Sequence, residues 1–184
     1  MDRRIQKTRQ LIMKTFMELM SEKKFEKITI NEIADRANIN RGTIYLHYID
    51  KYDLLDKCIE TYIAQLFQHC SENPNQKENP TNTVLRNTFE YLQENFEHYK
   101  ILLTNEGVPL FRNQLNKIIS QMLNNQVNCK TKDISMQVKI QFLTSAIVGV
   151  LEWWVINLMP VSVDEISEQL WDIIIENNFV EFLT

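Results

Sequence analysis

The stretch from Thr29 to Lys51 leaves a folding chain few options. Thr29 followed three residues later by Glu32 reads as a capping box, in which the threonine oxygen serves a free helix amide and the glutamate reaches back to the cap's own N–H. Ile30, Ile33, Ala34 and Ala37 then recur at i, i+3, i+4 and i+7, a narrow apolar stripe on a short helix. Asn38 stands where that helix must stop, and asparagine tolerates the left-handed conformation better than any residue but glycine. Ile39 plugs the corner. Asn40 can cap a second short helix, in which Ile44 and Tyr48 keep the inward spacing, and Asp50 can cap a long third one. Two short helices joined by a tight turn, with another behind them, form the layout of a helix-turn-helix.

The outer face of the second short helix keeps Arg41, Thr43, Tyr45 and His47. A guanidinium suits guanine edges or phosphate, hydroxyls suit phosphate oxygens, and aromatic or aliphatic carbon suits a thymine methyl. Gly42 would let the backbone approach closely. Lys51 adds a positive charge at the first turn of the third helix, where dipole and free amides already favour an anion, so a phosphate contact is its natural use. The competing reading is a three-helix packing unit with a solvated polar face. Under either reading Tyr48 belongs to the core, Tyr45 can divide its ring between core and phosphate, and His47 can be an ordinary exposed helix residue.

Ile33-Ala34, the run from Ile39 to Tyr48, and Lys51-Tyr52-Asp53-Leu54-Leu55 resemble the N-terminal domain of TetR-family transcriptional regulators, over about Thr8 to Ile59. The chain departs from that pattern at Asn38, where the family usually has glycine, and at Lys24-Phe25, where a glycine-aromatic pair is frequent. The resemblance implies that Arg41, Gly42, Tyr45 and Leu46 meet base edges or methyls, that Thr29, Thr43, His47 and Lys51 meet phosphates, and that Asn31 reaches a base from the preceding helix. Asn40, which caps the reading helix, is counted with this DNA-facing set.

Charge is distributed accordingly. Residues 1–51 hold eleven Lys or Arg against seven Asp or Glu, whereas the whole chain carries a net charge of −4. Phosphate affinity needs cations clustered locally, so an acidic whole does not argue against DNA binding. Arg3, Arg4, Lys7 and Arg9 open the first helix and can serve either as an arm touching phosphates or as a solvated helix end.

Three glycines and four prolines in 184 residues, with apolar residues recurring at helical spacing, predict an all-α protein. The expected division is a three-helix DNA-binding domain over 1–50 and a helical ligand-binding and dimerisation domain over 51–184. The first helix runs from Arg3 to Ser21 with Ile5, Ile12, Phe16, Leu19 and Met20 inward. A long helix from Asp50 to Cys70 joins the two parts, and 71–80 reads as a polar loop with Asn79 and Pro80 starting the next helix. That helix runs to His98 with Val84, Leu85, Thr88, Phe89, Leu92 and Phe96 inward. Helices over 110–128 and 133–158 follow, the latter apolar on nearly every side after Phe142, which predicts burial on both faces. Ser162 with Glu165 caps a final helix with Ile166, Leu170, Ile173 and Ile174 inward.

The segment from Gly149 through Trp153-Trp154 and Met159-Pro160 to Glu168–Trp171 also resembles the C-terminal domain of a TetR subgroup common in low-GC Gram-positive bacteria, which includes regulators of dihydroxyacetone kinase operons. The resemblance implies that the last two helices form a four-helix interface with a second copy. A pocket for a small-molecule effector is expected among Phe89, Phe96, Leu103, Phe111, Met122, Phe142 and Trp153, although aromatics at this spacing equally make core.

Other chemistries find little support. Cys58, Cys70 and Cys129 lie far apart without CxxC spacing, so neither a disulfide framework nor a metal site is expected, and a thiol sensor is a minor alternative. His47, His69 and His98 are isolated and there is no glycine-rich phosphate loop, so neither an enzyme nor a cofactor is expected. The N-terminus is polar and charged rather than signal-like, and Glu152 interrupts the apolar run 142–160, so no membrane span is expected and the cytoplasm fits. The leading expectation is a homodimeric repressor on a palindromic double-stranded operator, released by a small molecule. A co-activator or partner-dependent regulator, or a helical protein-interaction module, are the rivals.

Overall fold

In the computed structural model, which describes residues 3–71, 80–104, 108–126 and 134–176, the described residues form helices and turns without a strand. Helix α1 (Arg3–Glu22), a 3-10 turn (Phe25–Lys27), α2 (Ile30–Ala37) and α3 (Arg41–Tyr45) make a small head. Helix α4 (Lys51–Ser71) runs from the head into a body of α5 (Pro80–Glu94), α6 (Phe96–Thr104), α7 (Val108–Gln126), α8 (Ile134–Ile156) and α9 (Val163–Glu176).

The head closes around Ile12, Phe16, Phe25, Ile28, Ile33, Ile44, Leu54 and Ile59, all at or below 1% exposure. Phe16 and Phe25 meet edge to face at 6.1 Å, so the 3-10 turn covers the end of α1 as its apolar pair Phe25 and Ile28 requires. Two ion pairs, Lys23–Glu32 and Arg36–Glu22, tie the end of α1 to α2. Ile5, expected inward, is more than a third exposed, because the first turn of α1 extends beyond the core.

In the body, α4 packs on α5 and α7, α8 packs on α6 and α7, and α9 packs on α5. Tyr99 lies at the centre, fully buried, with its hydroxyl donating to the Tyr62 carbonyl of α4 at 2.8 Å. Phe89 stands edge to face with Trp154 at 5.1 Å, and the Trp154 indole donates to the Val161 carbonyl at 2.9 Å, binding α8 to the turn before α9. That turn holds Leu158 and Met159 in the left-handed region, at φ 61° and 56°.

Several expectations need correction. The helix expected to reach His98 ends at Glu94: Asn95 stands in a turn, and the chain restarts at Phe96, with the His98 and Tyr99 amides both donating to the Asn95 carbonyl at 3.1 and 3.3 Å. Val84 and Ile173, expected inward, are exposed. Asn79 lies outside the described residues, although Pro80 does open α5. Helix α8 is not buried on both faces: Ile140, Leu143, Ile147, Leu151, Trp154 and Val155 face the core, whereas Val138, Phe142, Trp153 and Ile156 are exposed. By length and composition α8 could cross a membrane, but it carries Glu152, buried and held by Arg112 of α7. The Arg112 guanidinium reaches both carboxylate oxygens at 2.6–3.0 Å.

That pair generates a prediction. Arg112→Met leaves a carboxylate buried without its donor and is expected to lower stability by about 1–3 kcal/mol in urea unfolding. Adding Glu152→Leu should return stability to near the parent, since an apolar pair of similar volume leaves no buried carboxylate unsatisfied.

Candidate nucleic-acid interface

The reading unit is assembled by local hydrogen bonds. Thr29 Oγ1 accepts the Glu32 amide at 3.2 Å and starts α2. The reciprocal half of the expected capping box is absent, because the Glu32 carboxylate pairs with Lys23. Asn38 closes α2 at φ 52°, ψ 47°, and the Ile39 amide donates back to the Ala34 carbonyl at 3.0 Å. Asn40 Oδ1 accepts the Gly42 amide at 2.8 Å and starts α3. A Cβ at position 42 would stand 3.2 Å from that oxygen, so the glycine gives the cap room as well as exposing backbone.

Helix α3 is only five residues long, and Leu46 forms its C-cap. It is anchored by Ile44, fully buried, and Tyr48, 4% exposed. Burial pushes the Tyr48 hydroxyl up to about 12, so the ring stays neutral and belongs to the core. Arg41, Gly42, Tyr45 and Leu46 are left exposed, Leu46 at 81%, while Thr43 and His47 are half-buried. Thr29 and Asn31 are exposed at the start of α2. Asp50 caps α4, accepting from the Tyr52 and Asp53 amides at 2.8 and 2.9 Å.

Lys51 departs from the expected phosphate contact. Its ammonium donates to the carbonyls of Phe25 at 3.1 Å, Glu26 at 2.9 Å and Ile28 at 3.1 Å, and lies 4.6 Å from the Phe25 ring centre. An ammonium has three N–H donors, and all three are directed into the head. Lys51 therefore pins α4 to the 3-10 turn that leads into Thr29. Its sequence position carries the charge, but only the fold brings three converging carbonyls to it.

Two further surface residues adjoin this stretch and were not singled out from sequence. Ile49 is 82% exposed, with its amide donating to Asp53 Oδ2 at 2.9 Å, and Tyr52 is 59% exposed, with its ring edge to face with Phe25. The usable signal was that Tyr48 and Leu54 already fill the inward positions on either side. Of the basic residues at the N-terminus, Arg3, Arg4 and Lys7 are exposed and Arg9 is half-buried.

The pocket residues do not come together. Phe89, Leu103 and Phe111 are core, Phe96 is half-buried, and Met122, Phe142 and Trp153 are exposed on α7 and α8. Side chains three or four apart share a helix face, and Phe142 and Trp153 share theirs with Val138 and Ile156 rather than with Leu151 and Trp154. Among the described residues, a void of about 10 Å³ is bordered by Leu66, Leu103, Phe111, Leu115 and Glu152, about the room one water needs. Cys58 is fully buried and its thiol is pushed far up by burial, the reverse of a reactive thiolate. Among the described residues no group of three or more His, Cys, Asp or Glu could hold a metal.

Residues 12–58 match the profile of bacterial regulatory proteins of the tetR family, and residues 78–176 match that of a transcriptional regulator C-terminal region. The chain belongs to the TetR family of transcriptional regulators. The head is the family's DNA-binding domain and the body its C-terminal domain. Among curated proteins, this regulator is 22% identical over 151 residues to the transposon Tn10 TetC protein of Escherichia coli, covering 76% of this chain and 72% of TetC. It is 36% identical over 78 residues to the uncharacterized HTH-type transcriptional regulator YxbF of Bacillus subtilis (strain 168), covering 41% of this chain and about a fifth of that longer relative. Among solved structures, a TetR transcriptional regulator from Streptococcus agalactiae 2603V aligns with TM-score 0.67 and 25% identity, covering 94% of this chain and 96% of that one. The dihydroxyacetone kinase operon activator DhaS shares the fold, with TM-score 0.64 at 19% identity over 92% of this chain and 95% of that one.

The geometry of Lys51 is testable by salt dependence. Lys51→Met should lower head stability by about 1–3 kcal/mol and weaken specific binding. Its slope of log affinity against log salt should stay close to the parent's, whereas a lost phosphate ligand would reduce the slope by about 0.9 for each phosphate released.

Proposed function

We propose that this TetR-family regulator binds a palindromic operator as a homodimer, represses transcription in the cytoplasm, and is released by a small-molecule effector. The observation that carries this reading is the surface of α3, where Arg41, Tyr45 and Leu46 stand exposed on a helix anchored from beneath by Ile44 and Tyr48. A short rigid helix presenting a guanidinium, an aromatic ring and an aliphatic chain suits the major groove, in which base edges and thymine methyls are distinguishable. Thr29, Asn31, Asn40, Thr43 and His47 surround it as candidates for phosphate or base contact, with Gly42 allowing close approach.

A single head reads one half-site, and affinity for a palindrome requires a second copy on a two-fold axis. The exposed face of α8, with Val138, Phe142, Trp153 and Ile156, together with Ile173 and Ile175 of α9, supplies an apolar surface suited to that contact. Repression is supported by a relative named as a probable acrEF/envCD operon repressor in Escherichia coli (strain K12), 39% identical over 51 residues, 28% of this chain. The name of the fold neighbour DhaS, an operon activator, keeps the rival reading in view. An effector acts only through a difference in affinity between DNA-competent and incompetent head spacings. No catalytic step is part of this reading.

The test is selection of bound sequences from random duplexes with the purified protein, followed by titration of the selected duplex against scrambled DNA at fixed salt. A palindrome bound far more tightly than scrambled DNA is expected, with Arg41→Ala weakening it by about 1–3 kcal/mol if Arg41 reads a guanine. Absence of enrichment would instead favour a partner-dependent regulator.

A further inference from the structure

The head meets the body across a cleft of about 450 Å³ between α1, α4 and α6. Its size falls in the range of small-molecule sites, about 300–1,000 Å³, whereas the void bordered by Leu66 and Phe111 has room for about one water. Met17, 2% exposed, and the half-buried Met13, Tyr62 and Ile101 give it an apolar floor. Tyr62 and His98 lie with ring centres 5.3 Å apart and planes tilted by 31°, forming an aromatic wall between α4 and α6.

The rim has a sign. Glu18 of α1 and Glu97 of α6 stand on opposite sides, and Lys14, 4.0 Å from Glu18, is the one Lys or Arg among the lining residues. Methionine side chains repack around irregular shapes, a tyrosine face attracts a cation, and two carboxylates against one ammonium favour positive charge. We propose that this cleft binds a bulky aromatic cation, and that such a ligand acts as an effector by wedging α1 of the head away from α6 of the body. The effector role rests on the protein being a DNA-binding regulator; the binding itself does not.

The probe is tetraphenylphosphonium, with tetraphenylborate as an isosteric anion, titrated calorimetrically into the full-length protein. Saturable binding of the cation, one per chain, is expected, with the borate several-fold weaker. Ile101→Trp, which fills the floor, should abolish it. Glu97→Lys, at an exposed rim position that leaves the fold intact, should reverse the preference between the two ions. Equal binding of the two ions, or a preference for the cation that survives Glu97→Lys, overturns the cleft and points to indiscriminate adsorption on exposed apolar surface. Saturating phosphonium should change the affinity for the selected duplex, and an unchanged affinity overturns the effector role. Failure of the ligand-free protein to select a duplex would strike the regulator reading alone and leave the cleft standing.

Discussion

A helix of five residues cannot hold itself together in water, because nucleation fixes several dihedrals before hydrogen bonds repay the loss. Everything about the head follows from the need to hold α3 from outside. Ile44 and Tyr48 root it in a core shared by α1, α2 and α4, Asn40 ties down its first amides, and the left-handed Asn38 sets the angle at which it leaves α2. Lys51 adds a clamp from behind, drawing the first turn of α4 onto the carbonyls that precede α2. The exposed face of α3 is rigid because so little of the helix is independent.

The body meets a different constraint, a long helix that is apolar on nearly every side after Phe142. Helix α8 solves half of this within one chain, by packing Leu143, Ile147, Leu151 and Trp154 inward and neutralising the buried Glu152 with Arg112. Its other face remains apolar and exposed, and that is the physical basis for a second copy in the proposed function. Phe142 and Trp153 belong to this outward face, so they do not join Phe89, Leu103 and Phe111 in the core. The cleft at the junction of α1, α4 and α6 lies where head and body touch.

Short-range features were the most legible. The caps at Thr29, Asn40, Asp50 and Ser162 and the turn at Asn38 involve residues within five positions of one another, so residue type and spacing decide them. The same short range explains why the head's core residues Ile33, Ala34, Ile44 and Tyr48 were readable. Failures came where a distant partner competes. Glu32 left its capping role for Lys23, and Lys51 found carbonyls more than twenty positions earlier.

The sequence by itself determined the all-helical class, the helix-turn-helix and its capped ends, and the family to which the chain belongs, because each depends on local spacing that no partner need supply. Tertiary structure alone decided which face of α8 is core, where Lys51 directs its charge, and that α1, α4 and α6 enclose a cleft where head and body touch. Those outcomes depend on which helices come to lie side by side, and a helix apolar on every side does not record in its own residues which side its neighbours will take.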